Sequence, residues 1–388
     1  MVERRFWVNK REALLGVIIL LLLAGTANVF SSSFVLAETN FNTPYFFIKR
    51  HAICVVLGLI GMGVASRIEY HWWQTASGPL LVFVLLTLTA VFFLGPVING
   101  ARRWLQFGGF QFQPSEFAKL TAIILEAGYL SFCAKKNKAV SIMHSQMGLI
   151  FVMALLVEKE PDGTTAFIIL GVPLAMMLVS TMTLREKGYI LLAIVLGVVG
   201  LCMWQPYRLA RVMSMLNPWA DIRTTGYQVV QSMAAIGSGG FWGVGLGMGV
   251  SKYQYLPEAH TDFAFAVFCQ ENGFIAAFGI FILFGALTLY GARIANAAKD
   301  SFGQYLAAGI IFMISGQAVL NLLMVSGWCP VVGIPLPFIS YGGTSLIMTL
   351  VCIGILINID SSSQSEKKLM STAAAPPPGK YPRLRRVK

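Results

Sequence analysis

The run ALLGVIILLLLAGTANVFSSSFVLA, residues 13–37, carries no charged side chain over 25 positions. A helix needs ~20 mostly apolar residues to cross a bilayer, so this run predicts a membrane span. Arg4 and Arg5 ahead of it and Ala37 at its end would also suit a secretory signal. The apolar core of such a signal is only ~7–15 residues long, so an uncleaved first helix is expected. The rest of the chain repeats the pattern. Of 388 residues, 56% are apolar and 12% charged, where soluble domains carry roughly 25% charged residues. That excludes a cytosolic enzyme. Apolar runs predict helices near residues 13–36, 46–66, 78–95, 115–133, 145–158, 164–183, 188–205, 263–290, 304–326 and 341–358. The expected fold class is an all-α polytopic membrane protein of about ten transmembrane helices. A large extracytoplasmic loop, residues 206–262, lies between the seventh and eighth.

An even number of spans puts both termini on one side. If that side is the cytoplasm, it receives Arg4, Arg5, Lys10, Arg11, Arg67, Lys135, Lys136, Lys138, Arg185, Lys187, Arg293, Lys299 and seven basic residues of the tail, 19 of the 29 Lys and Arg. The positive-inside rule favours that orientation. Residues 1–360 read as one transmembrane domain and 361–388, rich in Ser, Ala and Pro before a basic end, as a disordered cytoplasmic tail. Its charge suits membrane lipids or a cytosolic partner, and no nucleic acid is expected. The six cysteines fall singly in or beside apolar runs, which predicts small buried residues. No His or Cys spacing marks a metal site, and the glycines between 237 and 249 match no nucleotide-binding motif. Neither a nucleotide nor a redox cofactor is expected. Those glycines suit either tight packing or a loop that moves over substrate.

Charged side chains at membrane depth are costly, so each invites a functional reading. Glu116 and Lys119 sit three apart on one face of a helix opened by Pro114 and Ser115. They form either a self-neutralising pair or part of the cavity that holds Asp262. Glu158-Lys159-Glu160-Pro161-Asp162 marks an outer helix junction, or a solvated turn. Glu258, His260 and Asp262 end the long loop, and Asp262 either compensates a helix dipole or acts as a general base. Arg208, Arg211 and Arg223 in that loop, with Arg102 and Arg103 in a shorter outer loop, suit phosphate oxygens or lipid headgroups. Pro330, Pro335 and Pro337 predict a partly non-helical wall from Pro330 to Ser345, through Ser340. The bend at Gly342 and Gly343 either exposes helix N-terminal amides that favour an anion or simply caps a helix.

Taken in order, several segments resemble the SEDS family of polytopic cell-wall proteins, which includes FtsW, RodA and SpoVE. The residues that carry the resemblance are Asn99-Gly100-Ala101-Arg102-Arg103-Trp104, Gln113-Pro114-Ser115-Glu116-Phe117-Ala118-Lys119, Pro206-Tyr207-Arg208-Leu209-Ala210-Arg211, Asn217-Pro218-Trp219-Ala220-Asp221, Gly226-Tyr227-Gln228, Ala235-Ile236-Gly237-Ser238-Gly239-Gly240, Tyr255-Leu256-Pro257-Glu258-Ala259-His260-Thr261-Asp262-Phe263 and Pro335-Leu336-Pro337-Phe338-Ile339-Ser340-Tyr341-Gly342-Gly343-Thr344-Ser345. The wording is nearest the FtsW and SpoVE branch. Three places depart from the family pattern. Pro161-Asp162-Gly163-Thr164-Thr165 stands for Pro-Asp-x-Gly-Thr, Asn217 for a common Asp, and Gln270-Glu271 for a Glu pair.

The resemblance implies a peptidoglycan glycosyltransferase of the bacterial cytoplasmic membrane. It would polymerise lipid II outside the membrane during septal wall synthesis, with a class B penicillin-binding protein and other division proteins as partners. The family's essential Asp maps to Asp262, its fourth-helix Glu and Lys to Glu116 and Lys119, its long-loop arginines to Arg208 and Arg211, and its junction Asp to Asp162. In this reading Asp262 is the general base. Lys119, the arginines, or a divalent cation such as Mg2+ or Mn2+ would meet the departing pyrophosphate. A transporter that flips the lipid-linked precursor is the alternative, and it needs no base. A non-catalytic division scaffold would need none of these charges.

Overall fold

The computed structural model describes residues 10–373 apart from Asn99, Gly109, Gln205, Thr225 and Gln254. Its helices, in chain order, are α1 (Lys10–Phe41), α2 (Phe46–Ala65), α3 (His71–Thr75), α4 (Ser77–Leu94), α5 (Pro114–Lys135), α6 (Ser145–Lys159), α7 (Gly163–Val179), α8 (Leu184–Trp204), α9 (Pro206–Leu216), α10 (Tyr227–Gly239), α11 (Ala264–Asn296), α12 (Ser301–Val325) and α13 (Gly343–Ala373). Ten of them fall on the ten predicted spans. Seven, namely α1, α2, α4, α5, α11, α12 and the Gly343–Gln364 part of α13, are long and apolar enough to cross a membrane, and α7 is apolar but shorter. The chain is a multi-pass membrane protein.

Local sequence sets the helix starts. Pro114 occupies the first turn of α5 after an extended Gln113, where its missing N–H costs nothing. Asp162 caps α7 by accepting the Thr165 N–H at 3.2 Å, and Asp300 caps α12 through the Gly303 N–H at 3.2 Å. Packing then sorts the helices. α5, α12 and α13 are largely buried, whereas α2 and α4 keep most of their apolar surface facing outward. α2 lies along α13, α1 along α11, and α12 between α11 and α5.

The start of α1 meets the end of α11 and the Ser361 region of α13 at one end of the bundle. Lys10 Nζ donates to the Arg293 carbonyl at 3.1 Å, and Arg11 Nη1 reaches Ser361 Oγ at 3.5 Å. Tyr70 N–H donates to Asn358 Oδ1 at 2.9 Å, which brings the α2–α4 connection to the same end. Asp262, just before α11, lies at the other end.

Four features depart from the sequence expectation. A small antiparallel hairpin, β1 (Leu105–Phe107) with β2 (Phe110–Phe112), pairs Leu105 with Phe112 in the first outer loop. The long loop holds two helices: α9, and α10 where a short amphipathic helix is expected. The last helix continues to Ala373, past residue 361 where the disordered tail is predicted to begin. Glu366, Lys367, Lys368, Leu369 and Met370 are good helix formers, which accounts for the extension; residues 374–388 lie outside the described residues. Finally, α11 is not one continuous helix.

It breaks at Gly273, whose φ of 73° and ψ of −176° are closed to other residues. The glycine-rich run fills the break. Val244 N–H donates to the Gln270 carbonyl and Gly245 N–H to the Glu271 carbonyl, both at 3.0 Å, while Phe274 N–H donates to the Gly240 carbonyl at 2.9 Å. Backbone groups freed by the break are thus satisfied within the protein, as membrane depth requires. A Cβ on Gly243 (φ 82°) would stand 2.1 Å from the Glu271 carbonyl oxygen, so the glycines serve tight packing rather than a free loop. Beneath them Lys252 Nζ meets Glu271 Oε1 at 2.9 Å, the Gly247 carbonyl at 2.6 Å and Ser31 Oγ of α1 at 3.1 Å. Ser31 in turn donates to the Glu271 carboxylate. This buried network joins α1, the loop and α11.

Candidate active site

The predicted wall is non-helical from Trp328 to Gly342, as its prolines require. Three elements grip its main chain. Thr164 Oγ1 of α7 donates to the Val332 carbonyl at 2.5 Å, and Arg211 Nη1 of α9 donates to the Val331 carbonyl at 2.8 Å. Asn321 Nδ2 of α12 donates to the Ile334 carbonyl at 2.6 Å and to the Asp262 carbonyl at 2.7 Å. Gly333, exposed and at φ 66°, therefore lies against the Asp262 side chain; a Cβ there would stand 3.4 Å from Asp262 Oδ2.

Asp262 keeps part of its surface open while sitting deep among these elements. Burial first, then the Glu258 and Asp162 carboxylates, push its pKa up to about 7, while Arg103 and Arg211 pull it down. Four other predicted site residues thus act electrostatically on Asp262: Glu258, Asp162, Arg103 and Arg211. Asp162 is buried, and besides capping α7 it accepts Gln113 Nε2 at 3.4 Å. The guanidinium of Arg103 donates to the carbonyls of Glu160 and Pro161.

The other predicted residues take different positions. Glu116 and Lys119 are buried and close on each other at 2.8 Å. Their charges bear on Cys352 of α13 and are not among those that shift Asp262. No contact joins this pair to Asp262; the link in that direction is Gln113, one turn earlier, which touches Asp162. Arg208 pairs with Glu158. Gly163, one of the departures from the family pattern, leaves the room this pair occupies, since a Cβ would stand 2.5 Å from Arg208 Nη2. Arg102 donates to the Phe92 carbonyl at 2.7 Å, away from the charges around Asp262.

His260 packs its ring with Phe47 and Tyr341, at centroid distances of 4.9 and 5.9 Å, and burial lowers its pKa. Ser340 Oγ is occupied by the Leu336 N–H at 3.0 Å, so this hydroxyl holds the wall in shape. Gly342 and Gly343 stand where α13 begins, beside Thr344, whose Oγ1 donates to the Gln111 carbonyl at 2.9 Å.

One carboxylate was quoted in the junction motif but given no role. Glu160 is 1% exposed, and neither carboxylate oxygen has a hydrogen-bond partner. Burial, reinforced by Asp162 and opposed by Arg103, pushes its pKa up to about 9, so it is uncharged at neutral pH. Glu160 therefore does not neutralise Arg103, whose guanidinium holds its carbonyl. Asn321 and Gly333 were also missed, because an amide in an apolar helix and a lone glycine carry no chemical signal of their own.

The match to known proteins spans nearly the whole chain. Residues 11–365 fit the cell cycle protein family of FtsW, RodA and SpoVE. Stage V sporulation protein E of Bacillus subtilis (strain 168) is 39% identical over 360 residues, 91% of this chain and 98% of that protein. A probable peptidoglycan glycosyltransferase FtsW of Geobacter sp. (strain M18) is 38% identical over 349 residues, 88% of this chain and 94% of that one. A chain from a structure on the coordination of polymerization and crosslinking by a peptidoglycan synthase complex superposes with a TM-score of 0.73 at 26% identity, covering 92% of this chain and 99% of that chain. The rod shape determining protein RodA of Thermus thermophilus shares the fold, with a TM-score of 0.65 at 23% identity and the same coverage. From the broken wall beside Asp262 to the order of its spans, the chain belongs to the FtsW, RodA and SpoVE family of cell cycle proteins.

Proposed function

We propose that the chain is a peptidoglycan glycosyltransferase that polymerises lipid II into glycan strands, with Asp262 as general base. The observation that carries this reading is a carboxylate with its pKa near neutrality, beside an exposed glycine and within reach of two arginine charges. Lipid II brings its own leaving group, a polyprenyl pyrophosphate, so the enzyme must supply a base for the acceptor 4-hydroxyl and positive charge for the departing phosphates. Asp262 takes the proton. Arg103 and Arg211 meet the pyrophosphate charge as it develops. Direct displacement inverts the α-linked donor to a β-1,4 bond. Lys119, held by Glu116, supports the first turn of α5 next to Gln113.

Among the described residues no three His, Cys, Asp or Glu side chains are placed to hold a metal ion. Mg2+ is commonly held by one or two carboxylates together with the substrate's own phosphates, so a divalent cation such as Mg2+ or Mn2+ arriving with the pyrophosphate stays part of the proposal. The shared end for Lys10, Arg11, Arg67 and Arg293 supports cytoplasmic termini, with Asp262 facing outward. The likeness to a chain of a peptidoglycan synthase complex supports a class B penicillin-binding protein as partner.

The direct test is purified protein with lipid II, with and without that partner, read as polymer on a gel. Lipid moved across a vesicle membrane without polymer would favour the transporter. Turnover should rise with pH from about 6 to about 8, because a general base works only in its ionised form, and the midpoint should fall near the Asp262 value of about 7. A flat profile over that range would remove Asp262 from the proton transfer. Arg211→Ala should lower kcat/KM about tenfold, on the scale of one charged hydrogen bond. Arg208→Ala, whose partner is Glu158 rather than the Asp262 cluster, should lower it less.

A further inference from the structure

The surroundings of α11 change at its break. From Phe263 to Glu271 every side chain is buried, whereas beyond Gly273 one face is open, with Phe274, Ile275, Phe278, Phe281 and Ile282 exposed. The 23 residues from Phe274 to Asn296 rise about 34 Å, and the hydrocarbon core of a bilayer is ~30 Å thick. This part of α11 is long enough to cross the membrane unaided. Gly273 therefore marks the level at which the helix leaves lipid and enters the outer part of the protein.

The glycine-rich run sits at that level with its apolar side chains outward. Phe241, Trp242, Val244, Leu246, Met248 and Val250 are all exposed, Trp242 by 83%. No charged residue occurs from Thr224 to Ser251. Lys252, the next charge, turns inward to Glu271. So many apolar side chains together would be unusual on a surface facing water. A surface facing lipid requires instead that the backbone be paired within the protein. That pairing is present. The N–H groups of Gly243, Val244, Gly245 and Met248 donate to carbonyls at 2.8 to 3.1 Å, and that of Gly249 donates to Glu271 Oε1 at 3.3 Å. Gly249 turns its bare side to α11, where a Cβ would stand 2.9 Å from Glu271 Cγ. The Phe241 ring meets Phe274 edge-on at 5.7 Å, and Phe274 stacks on Phe278 at 6.0 Å. The exposed face of the run is thus continuous with the lipid-facing side of α11.

We propose that residues 241–250 are a membrane anchor, lying at the headgroup–acyl boundary of the leaflet on the Asp262 side. The partner is phospholipid of any headgroup charge, because the segment carries no charge of its own. Trp242 stands where a lipid-facing helix segment ends, the level at which aromatic side chains favour the interface. The anchor grips the Gln270 and Glu271 carbonyls, on the Asp262 side of the break. It therefore sets the height of the segment that carries Asp262 relative to the lipid. A partner protein's helix is the other occupant for such a surface; the level of the break and the continuity with α11 favour lipid.

The test uses full-length protein reconstituted alone in phosphatidylcholine vesicles. The Trp242 emission is read as the difference between wild type and Trp242→Phe, which keeps an aromatic ring at an exposed position. Bromine on the acyl chains should quench that component, and iodide on both sides of the membrane should leave it nearly untouched. Adding phosphatidylglycerol should change neither result. Leu246→Trp on the Trp242→Phe background should restore a component with the same behaviour. A component at either position that iodide quenches as it does free tryptophan, without response to brominated lipid, overturns the proposal. Shielding that appears only when the penicillin-binding partner is reconstituted alongside also overturns it, and makes the surface a protein interface.

Discussion

Asp262→Asn protein is expected to fold and insert normally yet polymerise lipid II about 10²–10⁴-fold more slowly, the usual contribution of a positioned base. The fold should survive because it is the Asp262 carbonyl, not its carboxylate, that anchors Asn321. The substitution also removes a charge disfavoured by burial and by Glu258 and Asp162. Its melting temperature should therefore equal or exceed that of wild type at pH 8, where the native carboxylate is ionised. Near-wild-type polymer from the variant, with the same detergent and partner, would rule out Asp262 as the base. Asp162 and Glu116 would then be the carboxylates to test, and if none mattered the transporter would replace the enzyme.

Lys252→Met should be the most damaging single change outside the site, costing about 3–5 kcal/mol, as expected when one member of a buried ion pair is removed. Glu271 would keep only Ser31 and the Gly249 N–H as donors. The glycine-rich loop would lose its clamp on α11, so protease should cut between Gly240 and Gly249 faster than in wild type. A double variant, Lys252→Met with Glu271→Leu, should recover part of the loss because no charge is left unpaired. Thermal unfolding of the three variants checks this, and a double variant less stable than Lys252→Met would show that the pair is not the cause.

The spans were legible because apolar composition acts locally: a run such as residues 13–37 declares itself without reference to any neighbour. The prolines between 330 and 337 were equally plain, since a missing N–H breaks a helix wherever it falls. Asp262 stood out as a charge at the mouth of an apolar helix. What could not be read is pairing at a distance. Lys252, Glu271 and Ser31 are brought together from three segments, and nothing in any one of them specifies the other two. Gly273 looked like an ordinary residue within a span, because its break is stable only when another loop supplies the missing partners. Glu116 and Lys119 were correctly read as neighbours on one helix face. Which cavity that face meets depends on the rotation of α5, which a spacing of three does not determine.

The grip on residues 331–334 also bears on how this protein can change over time. Thr164, Arg211 and Asn321 hold carbonyl oxygens, which every amino acid possesses. The shape of the wall beside Asp262 is therefore insulated from the identity of the side chains at 331, 332 and 334, provided they stay apolar enough to pack. Only position 333 is tied to one residue, by its backbone angle and by the carboxylate next to it. A lineage could exchange most of this segment and retain the same wall beside Asp262, so drift there would be a poor guide to any change in the shape of that cavity.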